Sequence, residues 1–183
     1  MRVIAGSLGG RPLVAPRGDG TRPTTDRVRE ALFSILGELR AARVLDLYAG
    51  TGALGIEALS RGAAHAVLVE QARPALTALR TNLTNLGLLT RATVVATSVT
   101  RALPTLATLG PFDLVLCDPP WAIVDEALDA LAALGAAGAL APEGLIVLEH
   151  AARSPLREAP ALVWQTERRY GDTALAIGAL RAT

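Results

Sequence analysis

A doubly wound α/β sandwich on a mostly parallel sheet is the fold class this sequence predicts, and three observations carry the prediction. Across residues 43–150, short apolar runs alternate with helix-length amphipathic stretches. The apolar runs are continuous, as strands buried on both faces must be. A glycine-rich turn, AGTGALG, falls between the first of these strands and the first helix after it, where a ligand-binding turn belongs in such a fold.

The elements follow in order. VIAG and PLVAP can pair as a small hairpin across SLGGR, whose glycines suit a turn. TTDRVREALFSIL reads as a helix capped by Thr24 or Thr25. Val28, Leu32, Ile35 and Leu36 lie on its apolar face, with Arg27 and Arg29 off that face. VLDLY is a strand and ALGIEALSR a helix; AVLVE is a strand and RPALTALRTNLTNLG a helix. ATVVA is followed by VTRALPTLATL, and DLVLC by VDEALDALAALG, each again strand then helix. GLIVLEH is a fifth strand, and LVWQTERRYGDTALAIGAL reads as two strands around a Gly-Asp turn, an antiparallel hairpin at one sheet edge. Neither an internal repeat nor a low-complexity linker interrupts this order. The reading is one domain over residues 1–183, with residues 1–40 a basic hairpin-and-helix extension and residues 41–183 the sandwich.

Composition narrows the setting. The 183 residues are 51% hydrophobic and 19% charged, which suits a single globular core. No apolar run is long enough for a membrane helix, and Gly and Arg interrupt the first twenty residues, so no signal-peptide core is expected. One cysteine, Cys117, allows no internal disulfide and points to a cytoplasmic home. His65 and His150 lack paired-ligand spacing, so no metal site is expected. The net charge of +1 names no partner. The protein has no lysine, and its arginines crowd the start: Arg2, Arg11, Arg17 and Arg22 precede Thr25 against Asp19 alone. That end can face a phosphate backbone.

Gly50, Gly52 and Gly55 satisfy G-x-G-x-x-G, which lets a backbone approach a nucleotide where a Cβ would clash. Glu70 ends the second strand 20 residues after Gly50, where a carboxylate can accept hydrogen bonds from both ribose hydroxyls or simply cap the next helix. The pattern alone also fits NAD. Asp46 argues otherwise: a carboxylate inside the first strand is costly unless paired, and it suits the ammonium and sulfonium end of S-adenosylmethionine better than a pyrophosphate. Tyr48, Thr51 and Ser98 complete the expected cofactor set; Thr97 and Ser98 follow the third strand without an acid to read the adenine.

CDPPW, residues 117–121, ends the fourth strand at the same edge of the sheet. Prolines have a fixed φ and no N–H, so the carbonyls beside Pro119 and Pro120 are rigidly aimed. A ring amine is a poor nucleophile because its lone pair is delocalised into the ring. Asp118 and the Pro119 carbonyl can accept its two N–H bonds and direct the lone pair, while Trp121 stacks on the base. Such a base must be presented unpaired or flipped out. Cys117 reads as a small buried residue, Trp164 as hairpin packing and Tyr170 as a strand residue.

A [DNS]-P-P-[YFW] motif after the fourth strand, with the glycine turn after the first, resembles the amino-methyltransferases of nucleic acids. IAG…GR…L, RPTTDRVREALFSIL, VLDLYAGTGALGIEALSRGA and RRYGDT together resemble, over nearly the whole chain, the bacterial 16S rRNA guanine-N2 methyltransferase (RsmD-like) family, whose members modify guanine 966 (bacterial rRNA numbering). The resemblance implies a Rossmann-like class I S-adenosylmethionine-dependent methyltransferase. It implies a cofactor held by Asp46, Gly50, Gly52 and Glu70, and a guanine amine and ring held by Asp118, Pro119 and Trp121. It further implies a substrate of 16S rRNA in the small subunit or an assembly intermediate, engaged by residues 22–29. Arg11, Arg22, Thr24, Thr25, Arg27 and Arg29 form the expected RNA set, and a monomer is expected. One departure stands out: family members commonly carry Tyr or Phe where Trp121 stands, and DPPW is familiar from adenine-N6 enzymes. An adenine-N6 methyltransferase is therefore the second reading, opposed by RPTTDRVRE. An NAD(P)-binding oxidoreductase or a non-catalytic nucleotide-binding module is the third, opposed by Asp46 and CDPPW.

Overall fold

A computed structural model describes residues 1–16 and 26–181. Its sheet contains seven strands: β1 Arg43–Leu47, β2 His65–Glu70, β3 Ala92–Ala96, β4 Phe112–Cys117, β5 Leu140–Ala151, β6 Leu162–Tyr170 and β7 Thr173–Leu180. Their order is β3-β2-β1-β4-β5-β7-β6. The first five named in that order pair in parallel, and β7 is antiparallel to both β5 and β6. The tail hairpin anticipated from YGDT therefore folds back so that its second strand pairs with β5 and its first becomes the edge. Among the described residues, α1 Asp26–Leu36 precedes β1, and α2 Ala53–Ser60, α3 Arg73–Asn85, α4 Val99–Leu109 and α5 Val124–Ala136 follow β1 to β4 in turn.

The strand side chains alternate between two cores. Val44, Leu68, Leu114 and Val147 face the layer made by α1, α2 and α3, through Leu32, Phe33, Ile56, Leu59 and Leu79. Leu45, Leu47, Val67 and Val115 face α4 and α5, through Leu106, Leu128 and Leu131. Strands covered on both sides explain the unbroken apolar runs of the sequence. Each buried Leu or Val contributes roughly 1.5–3 kcal/mol relative to exposure, so the central strands are the most firmly held part of the molecule.

The N-terminal segment is less regular than the expected hairpin. One bridge, Arg2 to Pro12, joins its ends, and a 3-10 turn at Gly6–Leu8 occupies the bend. Two polar side chains buried on α2 hold it down. The Glu57 carboxylate accepts the N–H groups of Ile4 (2.7 Å) and Ala5 (3.1 Å), as well as Arg61 Nε (2.7 Å). Ser60 Oγ donates to the Ala5 carbonyl and accepts from Leu8 N–H at 3.0 Å. Further along, Asn82 of α3 accepts Val14 N–H (2.7 Å) and donates Nδ2 to the carbonyls of Val14 and Thr51, both at 3.0 Å. One amide thus ties the arm to the loop after β1. Buried polar groups need partners, and here α2 and α3 supply them to the backbone of the arm.

Helix α1 corrects the sequence reading of its face. Val28, Arg29, Leu32 and Phe33 are buried, while Ile35 is 44% exposed. At about 100° per residue, Val28, Leu32 and Leu36 fit a face containing either Ile35 or Phe33. The structure takes Phe33, and that rotation carries Arg29 inward. The expected cap at Thr24 or Thr25 lies outside the described residues.

Candidate active site

The chain leaves β1 and β4, adjacent parallel strands in register at Leu47 and Cys117, at the same edge of the sheet. The connections part there: β1 neighbours β2 on one side and β4 on the other. A crevice must open at such a point, and ligands of open α/β sheets bind in it. A cavity of about 610 Å³ lies there, within the roughly 300–1,000 Å³ range of small-molecule sites. Its walls include Asp46, Tyr48, Gly50, Thr51, Glu70, Ser98, Asp118, Pro119, Pro120 and Trp121. These are all but one of the expected cofactor and catalytic residues; the exception, Gly52, starts α2 beneath the floor.

Asp46 is the most informative of them. It is fully buried in β1, and its Oδ2 accepts the Gly55 N–H at 2.8 Å, which fixes the first turn of α2. Oδ1 is buried with no hydrogen-bond partner among the described residues. Burial pushes the carboxyl up to about 8; the Gly55 N–H opposes that shift, while Asp118 and Glu70 add to it. An orphan acceptor at the edge of a cavity is a receptor for a cation or a hydrogen-bond donor. The ammonium-bearing end of S-adenosylmethionine has that chemistry, so the residues present fit the cofactor.

The glycine turn is shaped by contact rather than by composition alone. Gly52 has φ +80° and caps α2. A Cβ there would meet Leu79 Cδ1 at 2.4 Å, and Ile56 Cδ1 at 3.2 Å. At Gly55 a Cβ would press on Leu68 Cδ2 at 2.8 Å and on the Asp46 carboxylate at 3.0 Å, where the helix leans on β1. A Gly52→Ala protein is expected to lose about 2–4 kcal/mol, from overpacking and the left-handed backbone together; thermal unfolding measures it.

Glu70 is the residue for which the sequence left ribose binding and helix capping open. Its Oε2 accepts the Gly50 N–H at 2.8 Å, and its Oε1 accepts the N–H groups of Gln71 and Ala72, both at 2.7 Å, just ahead of α3. The carboxylate thus braces the glycine turn and the two residues ahead of α3 without capping the helix, and it lines the cavity. Ser98 does cap its helix, α4, through the Arg101 N–H at 3.4 Å, while Thr51 Oγ1 lies 3.8 Å from Met1 Sδ. Tyr48 holds φ +60° with a full side chain, a conformation that costs on the order of 1–3 kcal/mol and that collects at functional sites. Burial first, then Cys117 and Glu126, push its hydroxyl up to about 12, so it stays neutral.

Asp118 sits beside the end of β1: its N–H lies 3.4 Å from the Leu47 carbonyl. Pro119 and Pro120 carry the chain away, and Trp121, 37% exposed, opens a short 3-10 turn ahead of α5. Cys117 is buried, and burial, Asp118 and Asp46 together raise its thiol above the usual range, so it stays protonated.

Several residues of the crevice escape sequence reasoning, and four of them matter most. Glu126 of α5 and Glu149 of β5 add carboxylates to the wall, and Met1 and Pro16 bring the N-terminal arm to it. Glu149 looks like an ordinary strand-end acid until β5 is placed beside β4. Among the expected RNA residues, Arg27 is exposed and Arg11 donates to the Asn85 carbonyl at 3.1 Å on the surface; Arg22, Thr24 and Thr25 lie outside the described residues. Arg29 is a correction. It is 0% exposed, and its Nη2 reaches the Arg2 carbonyl at 2.6 Å and Asp26 at 2.8 Å. It braces the arm against α1 and is not available to a ligand at the surface. Removing a long buried side chain typically costs 2–5 kcal/mol, so Arg29→Ala is expected to lower the melting temperature, whereas Arg27→Ala leaves it unchanged.

A seven-stranded sheet of this order, with a glycine turn after β1 and an acid-Pro-Pro-aromatic turn after β4, defines a class I S-adenosylmethionine-dependent methyltransferase. The family model described as Conserved hypothetical protein 95 matches residues 1–179. The chain belongs to that family, which is the family of ribosomal RNA small subunit methyltransferase D. It is 40% identical over 165 residues to ribosomal RNA small subunit methyltransferase D of Escherichia coli (strain K12), covering 88% of this chain and 80% of that one. It is also 40% identical over 181 residues to YlbH of Bacillus subtilis (strain 168), covering 97% of each. The solved structure of yhhF from Escherichia coli superposes with a TM-score of 0.84 at 38% identity, over 100% of this chain and 99% of that one. Among the described residues no helix is long and apolar enough to cross a membrane.

Proposed function

We propose that the protein methylates the exocyclic N2 amine of one guanine, guanine 966, of 16S rRNA in the small ribosomal subunit or a late assembly intermediate. The observation that carries the proposal is the convergence of Asp118-Pro119-Pro120-Trp121 and the orphan carboxylate oxygen of Asp46 on one crevice. The relatives' names supply the substrate class, ribosomal RNA of the small subunit. When bound, S-adenosylmethionine supplies an electrophilic methyl carbon on a sulfonium.

Every other part of the reaction falls to the chain's own groups. Asp46 Oδ1 takes the donor end of the cofactor, and Glu70 faces its ribose while bracing Gly50. Gly50, Thr51 and Gly52 would receive it along their backbone, and Tyr48 and Ser98 would help to hold it. Trp121 stacks on the flipped guanine. Asp118 and the Pro119 carbonyl accept the amine's two N–H bonds, localise the nitrogen lone pair and hold it toward the methyl site; Pro120 keeps that turn rigid. Asp118 receives the proton the amine releases. Positioning of this kind is worth up to roughly 7–11 kcal/mol of barrier.

The working unit is one methyltransferase domain, 1–183, acting as a monomer without a metal. Its N-terminal part, 1–40, faces RNA; Arg11, Arg22, Thr24, Thr25 and Arg27 contribute there, with Arg29 as an internal brace. Arg27→Ala is expected to weaken binding to small subunits and to reduce its salt slope by about one, leaving cofactor affinity unchanged; filter binding at several salt concentrations measures both.

Trp121 supports a second reading, transfer to adenine N6. Nucleoside digestion and mass spectrometry of methylated subunits separate the two. N2-methylguanosine is the expected product, and N6-methyladenosine would replace this reading with the second.

A further inference from the structure

A second cavity, of about 180 Å³, shares Trp121 with the catalytic crevice. Its remaining walls come from the start of α5 (Ala122, Val124, Asp125), the end of β5 (His150, Ala151) and the loop after it (Ser154 to Leu156). That loop is pinned from within and from without. His150, almost fully buried, turns Nδ1 toward the carbonyls of Ala151 (3.1 Å) and Ser154 (3.2 Å). Both partners are acceptors, so Nδ1 carries the proton and donates. At the other end Arg157 reaches the Asp125 carboxylate (3.3 Å) and carbonyl (3.0 Å), and also Asp129. The cavity is therefore preformed.

Its size and lining select a ligand. The volume corresponds to about six waters at roughly 30 Å³ each and falls below the roughly 300 Å³ at which sites for drug-sized ligands begin. There is room for one aromatic ring system. The walls are as polar as they are apolar, with an indole on one side and the polar side chains of Asp125, His150 and Ser154 among the rest. Asp125 Oδ1 is taken by Arg157, which leaves Oδ2 to accept an N–H of a planar ring. Because Trp121 belongs to both cavities, whatever fills the second lies next to whatever fills the first. Single-stranded RNA is read by bases splayed apart onto such aromatic surfaces.

We propose that this cavity is a subsite for the nucleobase adjacent, in the RNA chain, to the base being methylated. The proposal rests on the RNA methyltransferase reading above. It makes Trp121 a wedge between two extruded bases, and it gives the loop after β5 a part in choosing the sequence around the target.

Ser154 is exposed, so its side chain can be replaced without opening the core. With p-benzoylphenylalanine at position 154, illumination in the presence of small subunits and S-adenosylhomocysteine is expected to crosslink the nucleotide next to the methylated base, read as a reverse-transcription stop. Ser154→Trp, which fills the cavity, is expected to raise KM for subunits about tenfold or more, with kcat within twofold and cofactor affinity unchanged. Stops only at remote nucleotides, no crosslink, or an unchanged KM in the filled variant would each overturn the subsite while wild-type transfer remains. Absence of methyl transfer by the wild-type protein would instead remove the underlying reading, and the subsite with it.

Discussion

The Asp118→Ala protein is expected to bind S-adenosylmethionine within about threefold of wild type and to lose methyl transfer by on the order of 10³-fold. Asp118 follows β4, beside the end of β1, with its backbone N–H 3.4 Å from the Leu47 carbonyl. Its backbone is therefore positioned by the sheet and survives loss of the side chain. On the proposed function the substitution removes an acceptor for the ring amine, and a delocalised nitrogen lone pair left unaligned reacts slowly. Calorimetry with the cofactor and a single-turnover assay separate the two effects. Equal losses in binding and turnover would mean that Asp118 serves the cofactor instead. Full activity would remove it from the chemistry.

The second large effect belongs to Asp46. Asp46→Asn keeps an oxygen that can accept the Gly55 N–H, and it removes the charge. Cofactor affinity is expected to fall by about 2–3 kcal/mol, roughly 30–150-fold, in line with truncating one side of a buried charged contact. The fold is expected to hold, because isolated burial of the charge is unfavourable in the ligand-free protein. The pH dependence has a definite sign. The folded-state value near 8 lies above the roughly 3.9 of an unfolded chain. Between those values the folded protein holds a proton that the unfolded chain has released. Stability of the ligand-free protein attributable to Asp46 is thus present at low pH and declines as pH rises through that window. A cationic ligand favours the ionised form, so affinity is expected to strengthen up to about pH 8 in the wild type and to lose this dependence in Asp46→Asn. Isothermal titration at several pH values tests both statements.

Much of this site was legible in the sequence because its motifs follow strands. Asp46 inside an apolar run, Gly50 and Gly52 after it, Glu70 at the next strand end and Asp118 at the fourth are placed by period and spacing alone once the sheet is assumed parallel. Glu149 and Glu126 were not, since an acid at a strand or helix end gains meaning only when its neighbours in space are known. Arg29 shows a different limit. The choice between Phe33 and Ile35 as a core residue rotates α1 by a fraction of a turn and decides whether an arginine is a surface contact or a brace. Glu57, Ser60 and Asn82 read as unremarkable helix residues; only the path of the arm across α2 and α3 makes them its anchors. Trp121 kept two target bases in contention, because stacking favours any base with a π-face.

The central claim is tested most directly by tritium transfer from labelled S-adenosylmethionine to small ribosomal subunits purified from a strain deleted for this gene, followed by mapping of the labelled nucleotide. The account predicts about one methyl group per subunit, at a single guanine of 16S rRNA, recovered as N2-methylguanosine and absent with Asp118→Ala. Label recovered at an adenine, or no transfer to either subunits or naked 16S rRNA, would contradict it.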